Sequence, residues 1–251
     1  VRTNKGVILS EDGERFLGHA RQVLEQVDLI EGIYKNDVVS KPHFAVSCQH
    51  YSFAVNAFVD VIRRFDAYQY DFTIREEQTH EIIEDVTNLK SELGVIYLSS
   101  KNTEVLSKML KRNELEFTEL FTATPHVFIC DSHPLAKKKS ITMEDLQDYP
   151  YLTYEQGEYN SQYFSEEFVS TLDSRKNIRV RDRATLFNLI IGLNGYTVCS
   201  GVISAELNGR NIISKPLDVE EYMRIGIITR KGVVLSRYAR EYIEALKAHC
   251  M

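Results

Sequence analysis

Short apolar runs and longer amphipathic stretches alternate along most of this chain, in two series. That alternation leads to strands paired in sheets with helices laid across them. In the first series, Phe44-Ala45-Val46 reads as a buried strand and the apolar-periodic stretch from Ser52 through Phe65 as a helix packed on it. Tyr70 to Ile74, a helix near Glu81 to Leu89, the run Leu93 to Leu98 and a helix through Met109 continue the pattern. Parallel pairing is the expectation. From Phe117 the text changes to Phe121, then to Val127-Phe128-Ile129-Cys130 and a turn at His133-Pro134 followed by Lys137 to Lys139. The second series reads Tyr151 to Tyr154 as strand, Ser161 to Leu172 as helix, Ile178 to Val180 as strand, Leu186 to Leu193 as helix and Tyr196 to Cys199 as strand. After Pro216 come a strand, Tyr222 to Thr229, and a helix, Ser236 through Leu246, whose destination the pattern alone leaves open. Two such α/β lobes joined by a hinge enclose a cleft, and open α/β sheets bind ligands at the carboxyl ends of their strands.

Ahead of the first strand stands a segment of different character. Ser10 as N-cap, the acids Glu11 and Asp12, and Phe16, Leu17, Ala20, Val23, Leu24, Val27 and Ile30 at three-and-four spacing predict a long amphipathic helix reaching about Tyr34. No sheet lies nearby in sequence, so its apolar stripe needs a partner from elsewhere. Residues 35–42 then form a linker. The chain opens at Val1 in the middle of a pattern, which reads as a fragment.

Composition narrows the function classes. Apolar residues at 43% and charged residues at 26% fit an ordinary folded protein, and no apolar run is long enough to span a membrane, so a soluble, cytoplasmic protein is expected. A net charge of -6 excludes these residues as a duplex-binding surface, which is strongly basic. Cys48, Cys130, Cys199 and Cys250 are far apart with no C-x-x-C pair, so neither a zinc knuckle nor a disulfide framework is expected. The seven histidines include no H-E-x-x-H pair, and Walker A, G-x-G-x-x-G and G-x-S-x-G motifs are missing. The reading is therefore a binding protein, not an enzyme, with no metal and no cofactor.

More informative are polar clusters placed after buried strands, where a helix start directs free N–H groups and a positive dipole end outward. Gln49, His50, Tyr51 and Ser52 follow the first strand of lobe one. Tyr154, Glu155 and Gln156 with Gly157, Asn160 and Ser161 follow the first strand of lobe two, and Arg183, Ala184 and Thr185 follow the strand ending at Val180. Any one of these is equally well an N-cap serving its own helix. Together they surround the space where a small polar molecule would sit, with Arg183 as countercharge for an anion and Glu155 as partner for an ammonium group.

The phrases themselves resemble a known family. Gly6-Val7-Ile8-Leu9-Ser10-Glu11-Asp12-Gly13 is similar to the end of the winged helix-turn-helix and the start of the linker helix in LysR-type transcriptional regulators. His133-Pro134-Leu135-Ala136, then Ile141-Thr142-Met143-Glu144-Asp145-Leu146 and Tyr149-Pro150, resemble the H-P-L-A and I-T-x-x-D-L phrases of that family. Where the family commonly has G-x-G this chain has Leu193-Asn194-Gly195, so the local turn is expected to differ.

The resemblance implies an α/β fold, two-lobed and periplasmic-binding-protein-like (type II), preceded by a long linker helix. It divides the chain into a remnant of the DNA-binding head at 1–10, a dimerisation helix and hinge at 11–42, lobe one at 43–122 plus 222–251, and lobe two at 123–221. It implies a small-molecule effector between the lobes, a homodimer with pairing of dimers into tetramers left open, and DNA contact through the largely missing head. The phrase Tyr149 to Tyr154 with Gly157 resembles regulators of cysteine and sulfur assimilation, which points to an amino-acid-like or sulfur metabolite. The alternatives weighed against this are a solute-binding protein serving a transporter and an enzyme of the same architecture.

Overall fold

The computed structural model describes residues 42–65, 69–159, 163–167, 175–203 and 208–250, together with short stretches and single positions between 2 and 27. At the amino end, strands β1 (Arg2–Thr3) and β2 (Gly6–Val7) pair as an antiparallel hairpin. Ser10 Oγ accepts the Gly13 N–H at 3.2 Å, the N-cap bond expected of it, and the described positions from Asp12 to Val27 are helical. Phe16, Val23, Leu24 and Val27 on that helix are exposed, at 69%, 63%, 61% and 42%. The far end of the expected helix, to Tyr34, and residues 35–41 of the linker lie outside the described residues.

The first sheet has five strands: β3 (His43–Cys48), β4 (Asp71–Glu76), β5 (Leu93–Leu98), β6 (Leu115–Ala123) and β12 (Met223–Arg230), in the order β4-β3-β5-β12-β6. β3 runs parallel to β4 and β5, as the alternation predicts, whereas β12 is antiparallel to both β5 and β6. The chain thus leaves the first sheet at β6 and re-enters its middle at β12. Every residue of β5 is buried, which follows from its central place with helices on both faces. Leu93, Val95 and Tyr97 join the cluster beneath α1 (Ser52–Phe65) and α5 (Arg237–Cys250). Ile96 and Leu98 face α2 (Thr79–Thr87) and α3 (Thr103–Arg112) on the other side. Gly94 lies between them because a Cβ there would meet Ile82 Cγ2 at 2.5 Å. The last helix, whose destination the pattern left open, packs on α1: Tyr242 stacks edge-on against Phe44 and donates its hydroxyl to Ala54 O at 3.0 Å.

The second lobe is built on β7 (His126–Cys130), β10 (Thr197–Cys199) and β11 (Ile212–Pro216), in the order β10-β7-β11. Here the pairing differs from that of the first series, because β7 is antiparallel to both neighbours. The partners of β7 are distant in sequence, and whether a strand enters a sheet from the same end as its neighbour or from the opposite one is not reported by period. β8 (Tyr151–Tyr154) and β9 (Asn177–Val180) do pair in parallel, and a bridge from Tyr151 to Tyr196 ties them to the three-stranded sheet. Helix α4 (Arg183–Leu193) covers this lobe through Leu186 and Ile190, packed with Leu152, Phe128 and Ile212. Strands β6 and β11 were not foreseen in the sequence. The helix expected over Ser161 to Leu172 is not found where it can be judged: Tyr163–Glu167 is turn and bend, and the rest lies outside the described residues.

Two segments cross between the lobes side by side, with Leu217 N–H donating to Pro125 O at 3.0 Å. An apolar cluster also runs across, from Val95 and Ile225 in the first sheet to Val127, Ile129 and Val198 in the second. The result is two α/β lobes hinged on one side and facing each other across a cleft on the other. His133, in the H-P-L-A phrase, pins the lobe-two turns: its Nδ1 accepts from Leu135 N–H at 3.0 Å and its Nε2 faces Asn194 O at 3.1 Å. Burial holds this imidazole below its ordinary pKa, consistent with a neutral ring that accepts at one nitrogen and donates at the other. Asn194, in the Leu193-Asn194-Gly195 turn, caps α4 in the left-handed region (φ 49°).

Candidate functional site

β3 delivers its last residues to the mouth of the cleft, where the chain turns through His50 and Tyr51 and starts α1 at Ser52. Gln49 is directed inward, not toward a ligand. Its Nε2 donates to Thr79 Oγ1 at 2.7 Å, and its Oε1 accepts from Tyr97 N–H at 3.0 Å and Tyr51 O–H at 3.1 Å. These bonds fix the end of β3 against β5 and the start of α2. Tyr51 is buried and stacks on Phe53 with ring centroids 4.9 Å apart.

His50 is the centre of the arrangement. Its backbone N–H donates to Glu166 Oε2 at 2.9 Å, its ring Nδ1 lies 2.8 Å from the same oxygen, and its Nε2 lies 3.1 Å from Arg181 O. A carbonyl oxygen and a carboxylate oxygen both accept, so a ring bonded to both carries two protons. Burial disfavours that cation, but the charge of Glu166 and its hydrogen bond outweigh it and raise the His50 pKa. The ring stacks face to face on Tyr154, 3.9 Å between centroids at 8°, an arrangement that favours a cation on an aromatic face.

From lobe two, Gln156 Nε2 donates to Glu166 Oε1 at 3.2 Å, and Gln156 Oε1 accepts Thr79 N–H at 3.2 Å. Glu167 is 2% exposed; its Oε1 accepts Tyr154 N–H at 2.7 Å and its Oε2 accepts Ser165 Oγ–H at 2.9 Å. Burial, with the charge of Glu166 added, pushes the Glu167 pKa up to about 8, so this carboxyl is protonated at neutral pH. Thr79 Oγ1 donates to Phe164 O at 2.7 Å and Tyr97 O–H donates to Glu167 O at 3.3 Å. Segment 163–167 of lobe two is therefore tied down on lobe one at several points. Neither Glu166 nor Glu167 was singled out in the sequence, where Glu-Glu inside an expected helix reads as a solvated face.

Arg183 and Glu155 are not free countercharges. Arg183 Nη2 pairs with Glu76 Oε1 at 2.9 Å, an ion pair that joins the amino end of α4 to the carboxyl end of β4 across the cleft. Glu155 pairs with Arg181. Thr185 is engaged by its own helix, whose N-cap is Asp182: its N–H and Oγ donate to Asp182 at 2.8 and 2.7 Å. Of the predicted residues, His50, Tyr51, Ser52, Tyr154 and Arg183 line one common cavity together with Glu166 and Glu167, while Gln49, Glu155, Gln156 and Thr185 are not part of its lining. Ser52 Oγ reaches only 3.5 Å from Val202 O. The cavity is about 30 Å³, room for about one water and far below the roughly 300 Å³ of a small-molecule site. On the other side of His50 a recess of about 450 Å³ opens, walled by Glu76, Glu77, Glu81 and Glu158 with Arg181. Glu77 there is raised to about 7 by burial and by neighbouring Asp85. Asn160 and Ser161 lie outside the described residues.

Two hinged α/β lobes with a polar cleft at the start of α1 define a ligand-responsive binding domain. The family model described as the LysR substrate binding domain matches residues 47–251, and the chain belongs to the LysR-type transcriptional regulators, carrying their effector-sensing domain. It is 26% identical over 255 residues to the uncharacterized HTH-type transcriptional regulator YbhD of Escherichia coli, covering 98% of this chain and 75% of that protein. It is 24% identical to the malolactic fermentation system transcriptional activator of Lactococcus lactis, covering 65% of this chain and 62% of the other. Among solved structures, the full-length C199D variant of OxyR from Pseudomonas aeruginosa superposes with a TM-score of 0.61 at 17% identity, covering 98% of this chain and 79% of that one. HinK, a LysR family regulator of the same species, superposes with a TM-score of 0.54 at 17% identity, covering 96% and 83%. These structures are alike in fold. Among the described residues no helix is long and apolar enough to cross a membrane.

Proposed function

We propose that this chain senses a small polar metabolite, amino-acid-like or sulfur-containing, in the cleft between its lobes, and passes the hinge angle to a DNA-binding head through a paired leading helix. Lobe one comprises 43–122 plus 222–251, lobe two 123–221, the helix and hinge 11–42, and 1–10 the end of the head. The protein works in the cytoplasm and performs no chemistry on its ligand. The observation that carries this reading is the meeting, at one cavity, of His50 and Ser52 from lobe one with Tyr154 and Arg183 from lobe two. A ligand shifts a hinge only through differential affinity, which requires contacts from both halves. The exposed stripe of Phe16, Val23, Leu24 and Val27 supports a helix that pairs with its counterpart in a second copy.

Thermal-shift and calorimetric screening of amino acids, sulfur compounds and their precursors tests the sensing role. A binder whose affinity is unmoved by Ser52→Ala and by Tyr154→Ala would place the site elsewhere. Sedimentation of Val23→Glu/Val27→Glu tests the pairing: the expected result is loss of the dimer, and an unchanged sedimentation coefficient counts against it.

A further inference from the structure

The cleft contains a carboxylate already, and it is the chain's own. Glu166 Oε2 accepts the backbone N–H of His50 at 2.9 Å and faces His50 Nδ1 at 2.8 Å, while Oε1 accepts from Gln156 at 3.2 Å. The His50 and Glu166 side chains are only 3% and 4% exposed. Each carboxylate oxygen is bonded to groups that other parts of the chain hold in place. Gln49 anchors the end of β3 that carries His50, Tyr154 supports the His50 ring from one face, and Thr79 N–H orients the Gln156 amide. Donors fixed in this way form a receptor for a carboxylate group in general, since backbone N–H, imidazolium and carboxamide donors match its two oxygens. The group that fills it comes from a turn-and-bend segment of lobe two, not from a rigid strand or helix. The space left beside it, about 30 Å³, is too small for a metabolite, so a ligand of any size enters this part of the cleft only when that segment gives way.

We propose that His50 and Gln156 form a carboxylate-binding site, that Glu166 is its tethered occupant, and that the effector is a carboxylic acid that competes with Glu166 for it. This rests on the reading of the cleft as the effector site and adds the chemical class of the ligand. Tethering gives Glu166 a high effective concentration, so a free acid wins only through further contacts along the cleft walls. Displacement releases Phe164 O from Thr79 and Glu167 O from Tyr97 as the segment lifts, which couples ligand entry to the contact between lobes.

Chemical rescue tests this. Glu166→Ala leaves the donors unoccupied and should lower the melting temperature of the full chain. Sodium acetate and propionate, measured against sodium chloride and acetamide at matched concentration, should then raise it saturably by about 2–4 °C while leaving the wild type unmoved. An acetate response in Glu166→Ala no larger than that to chloride overturns the proposal. If the truncated variant does not fold, Glu166→Gln keeps the volume and removes the charge. Its His50 ring, followed by NMR, should titrate lower than in the wild type, and an unchanged titration also overturns the proposal. Rescue by acetate in a chain that responds to no metabolite in the screen would uphold the carboxylate site and reject the sensing role. A metabolite that binds while acetate fails would do the reverse.

Discussion

Glu167→Gln should flatten the pH dependence of stability. In the fold this carboxyl has a pKa of about 8, because burial and the charge of Glu166 oppose ionisation more than Tyr154 N–H and Ser165 Oγ favour it. In the unfolded chain it titrates near its ordinary value of about 4.5. The folded state therefore holds a proton that the unfolded state has lost, and stability falls as pH rises between those two values. Over the stretch where the difference is a full proton, from about pH 5.5 to about pH 7, the loss is about 2 kcal/mol. For a chain of this size that is a drop in melting temperature of roughly 4–8 °C. Glutamine is the neutral isostere: its Oε1 keeps the bond from Tyr154 N–H, and its Nε2 donates to Ser165 Oγ, reversing the direction of the bond that the carboxylate oxygen accepts. The variant lacks the titration and should be the more stable protein at alkaline pH. His50 adds a slope of the same sign, since its raised pKa stabilises the fold below about pH 6.5 and that contribution is lost as pH rises through the folded value. That slope is common to both proteins, so the difference between their curves isolates Glu167. Melting temperatures by differential scanning calorimetry across this range provide the assay. Parallel curves for wild type and Glu167→Gln would refute the assignment of a protonated carboxyl to the cleft.

Four further outcomes follow from packing, capping and hydrogen bonding. Gly94→Ala drives a Cβ to 2.5 Å from Ile82 Cγ2 and 2.9 Å from Ile228 Cγ1, and should cost about 1–3 kcal/mol in urea denaturation. Asp182→Ala removes the cap bonds of α4 at Thr185 and should cost about 1 kcal/mol; Thr185→Ala should leave the affinity of any cleft ligand unchanged in a calorimetric titration. His133→Ala leaves Leu135 N–H and Asn194 O without their partner inside lobe two, and a loss of about 1–3 kcal/mol is expected by chemical denaturation. A loss no larger than that of a surface substitution would mean the H-P-L-A turn does not depend on its histidine.

Periodicity made most elements legible before any coordinate: the run Leu93 to Leu98 reads as a strand from its place in the alternation, and Ser52 to Phe65 shows the spacing of the helix that covers it. Short, mixed strands were less visible. β6 carries Glu116 and Glu119 among its apolar residues because it lies at the sheet edge, and β11 holds Ser214 and Lys215, so neither shows the clean apolar run of a central strand. Strand direction was not legible either, since residues on one strand alternate in the same way whichever way the neighbour runs.

The site divides along the same line. Local sequence determined that polar residues would cluster where β3 passes into α1, because a buried strand followed by a capped helix start leaves N–H groups at that end of the sheet. Which of those residues face a partner is decided by contacts between positions far apart in the chain. Gln49 turns inward to Thr79 and Tyr97, Arg183 is neutralised by Glu76, and His50 meets Glu166. A Glu-Glu pair reads as solvated in sequence, since nothing nearby offers to compensate its charge. Gln156 and Tyr154 supply donors from within lobe two, and only the closing of one lobe on the other adds those of His50, which together offset the desolvation of burying the pair.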